Sequence, residues 1–276
     1  MPPLNRKFFI SATGTNMGKT FVTCLLTRQL IASGEKVRAI KPVISGFSEP
    51  STSDSGLLLA AQNLSSHDLE KISPWRFAAP ISPHAADSEK TISLDKLTAF
   101  CQPKTQEILL IEGAGGIMTP LTDHATNLDW ANELNAQIIL VIGDYLGTLS
   151  HTLTAIEAIK TRNLPIAAVI INQFTASSQP KQSNQSLISL FFSQHFPLSS
   201  RRRAGSMPNH ELFSQLIDMD PALRRDDNKE FGEKNIPDKF TNTRQTLQTF
   251  HPQIKFMLLP KATKNVKLPD LTGICT

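Results

Sequence analysis

The residues best equipped for chemistry lie near the amino end, where FFISATGTNMGKT (residues 8–20) closes on Gly18-Lys19-Thr20. A glycine turn that opens a helix offers phosphate its backbone N–H groups and the positive end of the helix dipole. A lysine at that place lies along the outer phosphates, and the hydroxyl that follows offers an oxygen to Mg²⁺. The spelling departs from G-x-x-x-x-G-K-[ST]: Thr13 stands five before Gly18, and Gly14 comes one place late. A lone GKT is weak, but this one follows a buried-looking strand and precedes a helical pattern, the setting a phosphate loop requires.

The elements that must position this loop alternate along the chain. KFFISA (7–12), EILLIEG (107–113), QIILVIG (137–143) and PIAAVIIN (165–172) are short, β-branched-rich runs bounded by turn residues. They read as strands of a parallel sheet covered on both faces. KVRAIKPV (36–43) reads as a shorter strand, and IKFMLLP (254–260) as a last one ending at a proline. KTFVTCLLTRQLIAS (19–33) gathers Val22, Leu25, Leu26 and Leu30 on one helical face, with Gly34 as its stop. TLSHTLTAIEAIKTRN (148–163) gathers Leu149, Leu153, Ile156 and Ile159 in the same way. This alternation predicts a single doubly wound, mostly parallel α/β sheet with helices on both faces and its ligand site at the carboxyl ends of the strands. Residues 173–238 break the rhythm with polar, charged sequence and read as an irregular insertion, within which LISLFFSQHF (187–196) has a helical pattern.

Bulk properties narrow the class. The chain has 276 residues, 40% of them hydrophobic, enough for one sizeable domain spanning 1–276. A net charge of +4, dispersed apart from Arg201-Arg202-Arg203, gives no footprint for nucleic acid. Three scattered cysteines, Cys24, Cys101 and Cys275, fit a reducing cytosol better than a disulfide framework. The start MPPLNRK is too polar for a signal peptide, and no apolar run approaches a membrane span, so a cytoplasmic location with no membrane partner is expected.

Two further stretches sharpen the reading: IEGAGGIMTPL (111–121), with Glu112 at a strand end before glycines, and KPVISGF (41–47), with Lys41 at another. With the unusual loop, they resemble dethiobiotin synthetase, the ATP-dependent ring-closing family of biotin synthesis. That family's loop carries one extra residue, with Gly or Ala six before the GKT glycine, here Ala12. SPWRFAAPISPHAA (73–86) and VIGDYLGTLSHTLTAI (141–156) are similar to further family segments, and the match runs over roughly 7–172.

The resemblance implies an ATP-dependent cyclo-ligase of the P-loop class, with Mg²⁺ as cofactor and ATP as co-substrate. It implies 7,8-diaminopelargonate and CO₂ or bicarbonate as the other substrates, and a homodimer whose substrate site is shared across the interface. By motif, Lys19 and Lys41 carry catalysis, and Thr20, Asp54 and Glu112 hold the metal. Asn16, Met17, Gly18, Lys19, Thr20 and Phe21 contact ATP, together with Asp54, Glu112, Gly113, Ala114, Gly115, Asn172 and a closing-loop proline. For that proline, Pro260 after the last strand is favoured over Pro208. Thr15, Lys41 and Ser45, with Gly147, Thr148 and Ser150 from the helix start at 147–150, contact the diamine substrate. Taken alone, Asp54 in SEPSTSDSGLL reads as a helix cap; the resemblance makes it a ligand. His84 and His151 lack spaced partners for a metal and are expected to be structural.

The chain departs from the family's pattern at Gly14 and Asn16, where acidic residues are common, and at Thr148 and Ser150, where Cys and Asn are. The rival within another class is a ParA/MinD-like nucleotide switch. Such proteins carry a second lysine near the loop start, where this chain has Ser11 and Ala12, and they have no use for KPVISG or SPH.

Overall fold

The computed structural model describes residues 6–103, 107–143, 145–172, 239–259 and 270–275. Their strands are β1 (Lys7–Ala12), β2 (Val37–Ile40), β3 (Val43–Ser45), β4 (Trp75–Phe77), β5 (Ile108–Glu112), β6 (Gln137–Gly143), β7 (Ile166–Asn172) and β8 (Phe256–Leu259). Six form one sheet in the order β2-β5-β1-β6-β7-β8, with every neighbouring pair parallel. Residues Phe8–Ile10, Ile108–Ile111, Ile138–Ile142 and Ala168–Ile171 are all buried, with no polar face between them. Continuous apolar runs of this kind are what a sheet covered on both sides selects.

The helices are α1 (Lys19–Ala32), α2 (Asp54–Ala61), α3 (Pro83–Ala86), α4 (Leu94–Phe100), α5 (Asn127–Glu133), α6 (Thr148–Thr161) and α7 (Lys239–Phe250). Helix α1 packs on α2, α4 on α5, and α6 on α7. From β1 the chain runs first towards the β2 edge and later, after β5, crosses back to β6. Right-handed crossovers that reverse direction place α1 and α5 on opposite faces and open a crevice at the carboxyl ends of β1, β5 and β6. Val22, Leu25, Leu26 and Leu30 of α1 are fully buried, each contributing roughly 1.5–3 kcal/mol.

Two expectations change. KVRAIKPV does not form one strand: Pro42 lacks the N–H that would continue the ladder, and Lys41 N–H turns to Ile72 O at 3.0 Å. The chain then starts β3, which pairs with β4 in a separate two-stranded sheet. On α6 Ile156 and Ile159 are buried as expected and Leu153 packs partly buried on the core, but Leu149 is exposed and the rest of the buried face is Thr148, Thr152 and Ala155. Thr148 Oγ1 donates to Gly143 O at 2.6 Å and Thr152 Oγ1 to Thr148 O, which fixes the helix with Leu149 outward and exposed. The region 173–238, with its helical pattern at 187–196 and the arginine triplet, lies outside the described residues. No helix among those described is long and apolar enough to cross a membrane.

Candidate active site

The phosphate loop runs from the end of β1 to α1. Asn16 and Gly18 adopt left-handed backbone, with φ of 61° and 90°, and the first helical bond is Val22 N–H to Gly18 O at 3.0 Å. The amides of Lys19 and Thr20 therefore precede the ladder, as an anion site requires. Asn172, at the end of β7 and fully buried, donates from Nδ2 to Met17 O at 3.0 Å. A Cβ at Gly18 would overlap that carboxamide, so only glycine fits. Thr15 and Asn16 are exposed and Met17 is half-buried. The Phe21 ring, by contrast, lies in the core, which leaves only its backbone for a nucleotide.

Strand ends bring a compact charge cluster to this loop. Glu112 pairs with Ile10 in register and is fully buried. Its Oε1 accepts from Thr20 Oγ1 at 2.7 Å and from Lys41 Nζ at 2.9 Å. Lys41 also donates to Asp54 Oδ2. Asp54 is the first residue of α2, and the cap is Ser53, whose Oγ accepts from Gly56 N–H at 3.4 Å. The capping role is thus filled by its neighbour, and the Asp54 carboxylate is directed to Lys41. Lys19, nearly buried, donates to Gly14 O at 3.4 Å.

The electrostatics follow from this packing. Burial, with the positive charge of Lys41 next, brings the Lys19 ammonium down to about 8. Burial works against the Lys41 ammonium too, yet Asp54 and Glu112 outweigh it and hold Lys41 firmly protonated. Burial likewise opposes the Asp54 charge, and Lys41 overcomes it, keeping that carboxyl below the usual range.

The remaining atom of the cluster, Glu112 Oε2, is buried with no hydrogen-bond partner among the described residues. That orphaned oxygen, beside Thr20 Oγ1 and Asp54, is what a hard cation would engage. Among the described residues no three His, Cys, Asp or Glu side chains are grouped to hold an ion unaided. Two carboxylates and a hydroxyl suit Mg²⁺, which takes one or two carboxylates and completes its shell with phosphate and water.

Beyond Glu112 the chain turns through Gly113, Ala114, Gly115 and Gly116, with Gly115 at φ 72°. Gly116 lies against the backbone of Gly14, so this turn abuts the phosphate loop. A residue the sequence reading overlooked, Asn127, ties it to α5: Nδ2 donates to Ala114 O at 2.6 Å and Gly116 O at 2.8 Å. The Thr126-x-x-Asp129 capping box signals the start of α5 in sequence, but nothing local signals these bonds.

The residues expected to hold the diamine occupy two places. Ser45 ends β3, with its Oγ buried and without a partner among the described residues, just before Gly46, whose φ of 73° sets it against Pro80. Gly147, at φ 100°, caps α6. Thr148 is buried, its hydroxyl held by Gly143 O and its N–H by Tyr145 O, whereas Ser150 is exposed. Tyr145, also overlooked, meets His151 Nδ1 at 2.8 Å and Thr13 Oγ1 at 3.4 Å. His84 contacts Ser82 Oγ at 2.9 Å. Pro208 and Pro260 lie outside the described residues.

An AAA domain family model matches residues 6–215. The ATP-dependent dethiobiotin synthetase of Methylobacterium nodulans is 43% identical over 189 residues, covering 63% of this chain and 84% of that protein. Its counterpart in Phenylobacterium zucineum is 42% identical over 184 residues (63% and 79%), and that of Acidiphilium cryptum 42% over 192 residues (66% and 86%). The cell division ATPase MinD of Pyrococcus furiosus, at 14% identity and a TM-score of 0.40 over 77% of this chain and 97% of that one, is too distant to carry an argument. Loop, strand-end lysine and strand-end glutamate thus occur in a chain that aligns over most of the length of these enzymes: it belongs to the dethiobiotin synthetase family.

Proposed function

We propose that the chain closes the ureido ring of dethiobiotin from 7,8-diaminopelargonate and CO₂ at the expense of ATP. The observation that carries this reading is the cluster of buried Lys41, Glu112 and Thr20 with half-exposed Asp54 beside the phosphate loop. One substrate amine adds to CO₂ and loses a proton, giving a carbamate. A carbamate oxygen attacks the γ-phosphorus and ADP leaves, forming a carbamic-phosphoric anhydride. The neighbouring amine then attacks the carbonyl carbon, the C–O bond to phosphate breaks, and the ring closes with loss of a proton. Phosphoryl transfer of this kind needs placed positive charge above all. Lys19 supplies it from the loop and Lys41 from the facing strand end, where Asp54 and Glu112 keep the ammonium protonated and fixed.

Thr20, Asp54 and Glu112 would hold Mg²⁺, which when bound neutralises charge on the phosphate oxygens. We assign the turn Gly113, Ala114 and Gly115 to the phosphates; Gly113 N–H already donates to Ile10 O at 3.0 Å, so the amides of Ala114 and Gly115 are the ones to approach them. For the adenine edge we assign Asn172 and Pro260. In support, Asn172 pairs with Leu259 across β7 and β8, so the chain leaves β8 beside that asparagine. Residues 1–276 form one domain in this reading, with 173–238 as an insertion.

The substrate carboxylate is held at the start of α6 of a second subunit, while Lys41 and Ser45 hold the diamine from their own. The side-chain role there narrows to Ser150, because Thr148 is turned inward. Exposed Leu146 and Leu149 flank this helix start and suit burial against a partner. The test is a reaction of protein with diaminopelargonate, bicarbonate and Mg·ATP, run beside assays of recruitment to DNA and to vesicles. Dethiobiotin formed with one phosphate per turnover supports the proposal; recruitment without product overturns it in favour of a nucleotide switch.

A further inference from the structure

The glycine turn after Glu112 is held in one orientation from the side opposite the phosphate loop. Asn127 is fully buried at the first position of α5, and both carbonyls it grips, Ala114 O and Gly116 O, are turned towards it. In a trans peptide the C=O and the following N–H point in opposite directions. The structure displays this for one of the two units. Gly116 O goes to Asn127, and Ile117 N–H goes the other way to Ala12 O at 2.8 Å, where β1 enters the phosphate loop. The peptide from Ala114 to Gly115 has its carbonyl on Asn127 in the same manner, so Gly115 N–H is directed towards the phosphate-loop side. No acceptor for it exists among the described residues. Gly116 N–H is excluded from that role, because Thr119 Oγ1 accepts it at 2.8 Å.

Gly115, at φ 72°, is the kind of residue about which a peptide unit can flip at little steric cost. Flipped, the Ala114 carbonyl would face the phosphates and repel them. We infer that Asn127 is a positioning residue, which locks this peptide so that Gly115 N–H donates to the transferring phosphoryl group. The ligand class is a nucleotide γ-phosphate or the anhydride formed from it, and the inference rests on the function proposed above. Asn127 would act through this turn, to which its bonds run: Ala114 O and Gly116 O from the side chain and Thr119 O from its backbone N–H.

Asn127→Leu removes both donors at similar volume, and Thr119→Val loosens the same turn from its half-buried side. Each would be compared with wild type for binding of Mg·ADP and of Mg·AMP-PNP, and for the ¹H–¹⁵N shift of Gly115 on adding AMP-PNP. We expect ADP affinity to stay within about threefold while AMP-PNP affinity and kcat fall about tenfold or more. The Gly115 amide should move downfield with AMP-PNP in wild type and remain in place in Asn127→Leu. Should Asn127→Leu not fold, as judged by lost ADP binding, Thr119→Val must show the same selective loss in weaker form. A Gly115 shift and a γ-phosphate preference equal to wild type in the variants overturn the inference alone. A wild type that binds no AMP-PNP overturns the proposed function with it.

Discussion

Replacing Glu112 by glutamine isolates the charge on which the site turns. The amide keeps the shape and an oxygen to accept from Thr20, so what is lost is one negative charge, fully buried and 2.9 Å from the Lys41 ammonium. With an effective dielectric near 20, charges about 4 Å apart attract by about 4 kcal/mol. The cost of burying the carboxylate offsets part of that, and Lys41 retains Asp54, so the net loss of stability should be about 2 kcal/mol. For a divalent ion held as proposed the loss is larger in consequence, because one of the two carboxylates the protein would offer it is gone. Mg²⁺ affinity in the presence of AMP-PNP should drop at least ~100-fold, about 2.7 kcal/mol. Calorimetric titration with Mg²⁺ and with Mn²⁺, alongside urea unfolding, reads both quantities. A variant with an unchanged metal titration removes Glu112 from the ligand set. One that is more stable and still active shows the cluster to be a burden on the fold without a task.

Lys41→Ala should lower turnover at least ~100-fold while nucleotide binding is largely spared, since the role proposed for Lys41 is at the carbamate; near-normal turnover would refute it. Gly18→Ala combines a left-handed φ of 90° with an overlap on Asn172, and should cost upwards of ~1–2 kcal/mol and weaken ATP binding; a crystal structure with an undisturbed loop would contradict this. If the site is shared between subunits as proposed, mixing Lys41→Ala with Ser150→Glu subunits should restore activity, because one of the two sites in the heterodimer would carry neither change. Exchange of subunits without recovery would argue against a shared site. Asp87, nearly buried, accepts from Thr91 N–H, Thr91 Oγ1 and Ile92 N–H at 2.7–2.9 Å. Burial pushes its carboxyl up, but these bonds win and hold it low. The native carboxylate therefore contributes stability above the ordinary carboxylate range and loses it as pH falls through the lower folded value. Asp87→Ala should cost about 2 kcal/mol at pH 7, a deficit that shrinks below pH ~4; an unfolding curve with a constant deficit would contradict the assignment.

How much was readable before the fold depends on the range over which each feature is encoded. The parallel strands were legible because burial on both faces demands unbroken apolar runs, and QIILVIG became β6 without a residue's change. At the start of α6 Leu149 misled, because two threonines bonding to backbone take the buried positions there, while Ile156 and Ile159 follow the apolar periodicity. Three-residue strands β3 and β4 carry too little pattern to stand out around Pro42. Within the site, Lys19 and Thr20 were legible from the GKT motif between a strand and a helix, whereas Lys41 and Glu112 took their roles from the family resemblance. Their mutual pairing spans 71 to 92 residues of sequence and is a property of the sheet order alone. Asn127 escaped for the same reason, since its partners lie 11 and 13 residues back in a turn whose orientation no local motif records.

The path of one oxygen atom tests the central claim most directly. With ¹⁸O-labelled bicarbonate, unlabelled water and times short against exchange with solvent, attack by the carbamate oxygen on phosphorus, followed by C–O cleavage, transfers label to the released phosphate. The account predicts dethiobiotin and phosphate in equal amounts, with ¹⁸O in the phosphate only when diaminopelargonate is present. Phosphate whose new oxygen comes from water, formed whether or not the diamine is added, would contradict it.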